Sequence, residues 1–260
     1  MNQYILKIIE GTQDFVLKEL EDKFGGKIFN IQSNGSEIYF ESNVDDIDEF
    51  RVLYSPLSIT INNKIERNLY RREWRKEFVP AGINPALAYV MCMAAKIEPE
   101  DVVLDPFCGG GTIPISAMLY FKPKKVLASD LSGTAVDITQ RNFYNAHIKE
   151  KMYALFRSGV SQLKLAEGSV TKVITNLPFG IRVGKHDSNE VVYKDFANKA
   201  LKILKKDGLA VILTQEKSLL EENFSRQSTD KKEWFELVKS FEVRQGGLIP
   251  TIYVYRKIEI

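Results

Sequence analysis

Val102-Val103-Leu104-Asp105-Pro106-Phe107-Cys108-Gly109-Gly110-Gly111-Thr112 is the stretch on which the reading of the fold turns. A short buried-strand pattern ends in an aspartate, and three consecutive glycines lead from it into a helical pattern containing Ile115 and Ala117. Glycines at such a turn remove every side chain, so backbone can approach a bound ligand closely while amides at the helix start offer hydrogen bonds. A flexible turn is the plain alternative. A phosphate-binding loop fits less well, because the Walker lysine is absent and Asp105 would set negative charge against the phosphates. An aspartate in that place suits a cationic ligand.

Outward from this loop, strand patterns recur at residues 126–129, 153–157, 172–176 and 209–214, mostly with helical patterns between them. Phe196, Ala200, Ile203 and Leu204, for example, share one helical face. Asn84-Pro85 is a helix start, an N-cap followed by proline at the first helical position, and the apolar run continues to about Ala95. The alternation predicts an α/β domain over 84–260, a Rossmann-like, doubly wound and mainly parallel sheet. Residues 1–62 read differently. Tyr4, Leu6 and Ile8 alternate as on a strand, Val16, Leu17, Leu20 and Phe24 follow a helix, and strands are expected near 27–31 and 37–41 around Asn34-Gly35. A helix over 45–54, with Ile47, Phe50 and Tyr54 on one side, and a last strand with Ile59 and Ile61 complete a small ferredoxin-like α+β domain. Residues 63–83, opening NKIERNLYRREWRKEFVP, are rich in charge, lack a sustained apolar face and are expected to be a linker.

Composition narrows the classes without choosing among them. With 260 residues, 44% hydrophobic and 27% charged, the chain suits a soluble protein of one large and one small domain. No apolar run reaches the roughly 18 residues that span a bilayer, and the start MNQYILKIIEG lacks a signal-peptide pattern, so a cytoplasmic location and no membrane partner are expected. The net charge of +2 is compatible with nucleic-acid binding through a local patch but does not argue for it. Cys92 and Cys108 have no metal-ligand spacing and are read as thiols rather than nucleophiles, and no metal site is expected. His147 and His186 are isolated and are read as surface or packing residues.

Three further features carry chemistry. Asp130 ends the strand after the glycine loop, where an acidic residue accepts hydrogen bonds from both hydroxyls of a ribose, and a helix-start carboxylate is a compatible reading. Together with Asp105 it suits S-adenosylmethionine, whose sulfonium and amino group are cationic. Asn176-Leu177-Pro178-Phe179-Gly180 is the most informative stretch. An exocyclic amine on a nucleobase is a poor nucleophile, because its lone pair is delocalised into the ring. If the Asn176 side-chain oxygen and the Leu177 carbonyl accept its protons, the lone pair is freed for in-line attack. Pro178 fixes the turn, and Phe179 offers a face on which an extruded base stacks. Finally, Arg71, Arg72 and Arg75, among Lys64, Arg67 and Lys76 and interleaved with Tyr70 and Trp74, suit a phosphate backbone and a stacked base. A solvated charged helix, partly neutralised by Glu66, Glu73 and Glu77, is the other reading of that segment. Arg182 and Lys185 stand where they would reach substrate phosphates.

DPFCGGGTIPISA (105–117), ASDLSGTAVDITQRN (128–142) and TNLPFGIRVG (175–184) together resemble the methyltransferase domain of the THUMP-associated guanine-2-amino RNA methyltransferases, over roughly residues 67–257. EGTQDFVLKEL (10–20) and GSEIYFES (35–42) are similar to that family's ferredoxin-like N-terminal module. By this resemblance Asp105, Gly109, Gly111, Asp130 and Asn176 line the S-adenosylmethionine site, Phe107 and Thr112 of the same motif being counted with them. Asn176 to Phe179 form the amine-binding catalytic loop. The implied substrate is RNA, tRNA ahead of rRNA by the closeness of the NLPFG motif. Amino groups of adenine or cytosine in DNA, a protein glutamine amide, and a non-catalytic RNA-binding protein are the alternatives. Two departures stand out. The stretch between Ile61 and Arg67 leaves no room for a THUMP domain, so RNA capture is expected to differ or to come from a protein partner. The acidic residue that usually follows the third strand and binds the cofactor's adenine amine is replaced by Arg157-Ser158-Gly159-Val160, which implies weaker cofactor affinity or a part substitution by Ser158.

Overall fold

In the computed structural model, which describes residues 1–80, 82–179, 186–225 and 233–258, backbone contacts divide the chain into two units. The first contains Met1–Arg72, Asn84–Val90 and Glu242–Ile249, and the second contains Glu73–Ile83, Met91–Phe241 and the segment from Pro250 onward.

The first unit is built on β1 (Asn2–Lys7), α1 (Gln13–Phe24), β2 (Ile28–Asn34), β3 (Glu37–Ser42), β4 (Ser58–Ile61) and β5 (Ile65–Asn68). The sheet order β2-β3-β1-β4-β5 contains the arrangement of a ferredoxin-like split unit, and its pairs are antiparallel. Alternation puts Tyr4, Leu6, Ile38, Phe40, Ile59 and Ile61 on one face, where they form a core with Val16, Leu20 and Phe24 of α1. The helix expected over 45–54 is a 3-10 helix, Ile47–Val52. Its buried residues Ile47 and Phe50, and Leu53 just after its end, recur every third position, which is the 3-10 rather than the α period. Strand β5 falls inside the expected linker. It pairs Ile65 with Ile61 across a turn in which Asn62 and Asn63 adopt φ of 49° and 54°, a conformation asparagine tolerates. Glu19 is buried and accepts from the amides of Tyr54 (2.9 Å) and Ser55 (2.8 Å) and from Lys23 Nζ (2.6 Å), so its charge is engaged in holding α1 to the segment after the 3-10 helix.

The second unit holds most of a seven-stranded sheet in the order β11-β12-β10-β9-β6-β7-β8, from β6 (Val102–Asp105), β7 (Lys125–Asp130), β8 (Tyr153–Arg157), β9 (Val170–Asn176), β10 (Leu204–Thr214), β11 (Phe235–Glu242) and β12 (Thr251–Lys257). The pairs β6–β7, β7–β8, β6–β9 and β9–β10 are parallel, and β12 runs antiparallel to β10. Parallel neighbours need crossovers. α3 (Thr112–Ser116), continued by a π-turn to Phe121, links β6 to β7; α4 (Gly133–Asn145) links β7 to β8; and α5 (His186–Ile203) links β9 to β10. α6 (Lys217–Phe224) follows β10, and α2 (Pro85–Ala94) precedes the sheet, its start capped by the Asn84 side chain on the Ala86 amide at 2.8 Å. Leu104, Val173, Ile212, Phe196, Ala200 and Ile203 share one core, so α5 covers the centre of the sheet with these three helical residues, whereas Leu204, expected on the same helical face, opens β10 and pairs with Val170. The expected doubly wound, mainly parallel sheet is present. From β6 the chain moves to β7 on one side and later to β9 on the other, which makes the carboxyl ends of β6 and β9 the switch point where such sheets bind ligands.

Candidate active site

Four strands deliver polar residues to that edge: Asp105 ends β6, Asp130 β7, Asn176 β9 and Thr214 β10. Asp105 is 1% exposed, and its Oδ1 accepts from Thr175 Oγ1 at 2.7 Å and from the Phe107 amide at 3.1 Å. Burial pushes its carboxyl up to about 7, against the pull of those two donors and with a further upward push from Asp130. Asp130 lies across the loop, with Oδ2 on the Gly109 amide (3.0 Å) and Oδ1 on the Ser132 amide (2.9 Å). Each of its oxygens keeps a second acceptor site.

The glycine loop is tight rather than flexible. Gly109 and Gly111 have φ of 53° and 82°, and a Cβ on Gly111 would lie 2.9 Å from Thr139 Cγ2. Thr139 Oγ1 donates to the Gly109 carbonyl (2.7 Å) and Asn142 Nδ2 to the Gly110 carbonyl (2.9 Å), so α4 holds the loop from behind. Amides expected to face a ligand are partly used inside the loop: Cys108 donates to Ser129, Gly109 to Asp130 and Gly111 to Cys108. The glycines therefore act mainly through conformation and close approach. Thr112 is buried at the first position of α3, and the Phe107 ring meets Phe196 edge-on at 5.8 Å. Val79 lies against the same loop, 3.2 Å from where a Gly109 Cβ would stand. Its segment is tied down by Glu77, whose carboxylate takes two bonds from Arg141 (2.5 and 2.7 Å).

Asn176 closes the site on the β9 side. Its Oδ1 is buried and has no hydrogen-bond partner among the described residues. Leu177 is buried in the core and donates its amide to the Leu213 carbonyl at 3.0 Å, which carries the β9–β10 pairing one residue past the strand end. The Pro178 carbonyl accepts from Tyr193 Oη at 3.3 Å, and that hydroxyl also meets Thr214 Oγ1 at 2.6 Å. Phe179 is half-buried beside them. After β8, the Ser158 amide donates to the Asp130 carbonyl (3.0 Å) and the Ser158 hydroxyl to Gly159 (3.0 Å).

The basic residues separate into different roles. Arg72 is turned to the protein, its guanidinium donating to the Leu69 carbonyl and, at 2.8 Å, to the Tyr54 carbonyl, with Tyr54's ring 5.2 Å away. These bonds hold its guanidinium against the protein. Arg71 is exposed, and Arg75 stacks over the exposed Phe78 ring at 4.8 Å. Arg182 and Lys185 lie outside the described residues. Burial pushes the Cys108 thiol well above its ordinary range, with Asp105 adding to the shift, so it stays protonated. Among the described residues no group of three or more His, Cys, Asp or Glu is placed to hold a metal ion, and no helix is long and apolar enough to cross a membrane. Thr139, Asn142, Thr175 and Tyr193 escaped sequence reasoning. The first two lie on α4 one turn apart from apolar Ala135 and Ile138, and only their partners reveal them.

A doubly wound sheet with this loop and this strand-end asparagine defines a methyltransferase-class fold. The likeness to solved structures agrees: TrmN from Thermus thermophilus superposes with a TM-score of 0.83 at 17% identity, covering 99% of this chain and 100% of that one. The chain belongs to the UPF0020 family, the RMKL-like methyltransferase domain, whose model matches residues 72–244. Relatives include the tRNA (guanine(6)-N2)-methyltransferase of Archaeoglobus fulgidus, 24% identical over 94% of this chain and 67% of its own length. The bovine tRNA (guanine(6)-N(2))-methyltransferase THUMP3 is 27% identical over 74% of this chain and 39% of its own. The resemblance to THUMP-associated enzymes read from the motifs is thus met, and the chain spans well under half of the bovine relative.

Proposed function

We propose that this protein is an S-adenosylmethionine-dependent methyltransferase acting on the 2-amino group of a guanine in tRNA. The observation that carries the proposal is the partnerless, buried Asn176 Oδ1 at the switch point. A buried acceptor without a donor is costly unless a ligand supplies one. An exocyclic amine supplies two protons, one for Asn176 and one for the Leu177 carbonyl. The family and the names of the two relatives support the same substrate class.

The residues present fit the cofactor. Asp130 has acceptor sites to spare for ribose hydroxyls, Asp105 offers a carboxylate to a cation, and the glycine loop leaves room that a Cβ would fill. Phe107 and Thr112 belong to the same loop. Ser158, donating its hydrogen to Gly159, keeps lone pairs with which to accept from an adenine amine. When bound, S-adenosylmethionine supplies an electrophilic methyl group on a sulfonium. Asn176 and Leu177 hold the nitrogen with its lone pair directed out of the ring plane, and Pro178, pinned by Tyr193, keeps the loop rigid. Phe179 gives the extruded base a stacking surface. The nitrogen sheds its proton only after becoming cationic, so no general base is needed at the outset.

RNA would be held by Arg71, Arg75, Arg182 and Lys185, with a protein partner or the N-terminal module completing capture, in the cytoplasm. In this reading the module, linker and methyltransferase domain follow the divisions 1–62, 63–83 and 84–260, except that β5 extends the module's sheet. Incubating tRNA with methyl-labelled S-adenosylmethionine and digesting it to nucleosides tests the proposal. Label in N2-methylguanosine is expected, first at position 6, the guanine in both relatives' names. Label only in methylated adenine, in rRNA or in protein would replace it.

A further inference from the structure

The start of α5 contains a second buried polar group that has no partner among the described residues. Asn189, in the first turn of α5, is 3% exposed, and its Nδ2 has no hydrogen-bond partner. Because α5 crosses back between the parallel strands β9 and β10, its first turn lies at the strands' carboxyl ends, the end that carries Asn176. Tyr193, four residues on and therefore on the same helical face, fixes the register by touching Pro178 at 3.3 Å and Thr214 at 2.6 Å. Helical side chains lean toward the helix N-terminus, so Asn189 lies one turn nearer than Tyr193 to the start of α5, on the Asn176 side of the sheet.

Two buried orphans of opposite polarity thus flank one loop: an acceptor on Asn176 and a donor on Asn189. A lone anion or cation would satisfy only one of them. A planar base, with donors and acceptors fixed on its edges, satisfies both. We propose that Asn189 is a specificity-determining residue, its Nδ2 donating to an acceptor atom of the target guanine while Asn176 Oδ1 receives the 2-amino group. The inference rests on guanine methylation at this site.

The test uses a tRNA transcript that the wild-type protein methylates, with the target guanine replaced by 2-aminopurine, 3-deazaguanine or 7-deazaguanine, which lack O6, N3 and N7 respectively. Single-turnover rate and RNA affinity are measured for wild-type protein, Asn189→Ala and the isosteric Asn189→Asp, with melting temperature and cofactor affinity as controls for folding. On guanine, Asn189→Ala should lose on the order of tenfold or more. One of the three analogues should cost the wild type a similar factor and cost Asn189→Ala nothing further. Asn189→Asp, an acceptor in place of the donor, should lose at least as much as the alanine variant. If all three analogues cost wild type and Asn189→Ala equally, Asn189 does not touch the base and the proposal is overturned. A wild-type protein that methylates no guanine overturns the underlying reading as well, and the unmodified transcript reports that outcome separately.

Discussion

Asp105 is the residue whose chemistry its surroundings change most. Burial raises its carboxyl to about 7, well above its value in an unfolded chain, so the protonated form is favoured by folding. Its contribution to stability is complete below about pH 4 and is lost as pH rises through about 7. Urea unfolding from pH 4 to 8 should therefore show wild type losing stability relative to Asp105→Asn, and parallel curves would contradict the shift. A cationic ligand prefers the ionised carboxylate, so affinity for S-adenosylmethionine should improve about tenfold between pH 6 and 8 by calorimetry, and Asp105→Asn should be flat. Asp105, Asp130 and Asn176 were legible in the sequence because each ends a recognisable strand. Thr175, one residue before Asn176, was not, since an alternating polar residue reads as a solvent-facing position until its bond to Asp105 is seen.

At the scale of elements, legibility followed the strength of the periodic signal. The central strands carry continuous apolar patterns and α5 a one-sided apolar face, and they lie close to where the sequence places them. Strand β5 was missed because Ile65-Glu66-Arg67-Asn68 presents no apolar face: it is held by backbone pairing and by Glu66 with Ser58 and Arg67 with Asp48. The sequence predicts a helix over 45–54 without distinguishing α from 3-10, because three apolar residues in so short a segment fit either period. The glycine loop is an element whose conformation depends on its glycines. Gly111→Ala forces a side chain into a left-handed position and against Thr139, and should lower stability by about 1–3 kcal/mol in urea unfolding while weakening cofactor binding. An unchanged midpoint would mean that α4 yields at no cost.

For the whole molecule, alternation of strands and helices revealed the parallel sheet, whereas β11 and β12 follow α6 with no further crossover helix among the described residues, β12 running antiparallel to β10 and β11 at the sheet edge, an arrangement the alternation does not announce. RNA capture belongs to this scale. Arg71→Ala and Arg75→Ala should each weaken tRNA binding and lower the slope of affinity against salt by about 1. Arg72→Ala should instead lower the melting temperature, since it strips two carbonyls of their donor, with little change in the salt slope. A salt slope that responds only to Arg72 would reverse this division.

The central claim is that the loop after β9 receives the target amine, and one substitution addresses it most directly. Asn176→Ala removes an acceptor that matters most in the transition state. In single-turnover methyl transfer to tRNA its rate should fall about a hundred- to a thousandfold, roughly 3–4 kcal/mol, with cofactor affinity nearly unchanged. A rate near that of the wild type, with N2-methylguanosine still formed, would contradict the account.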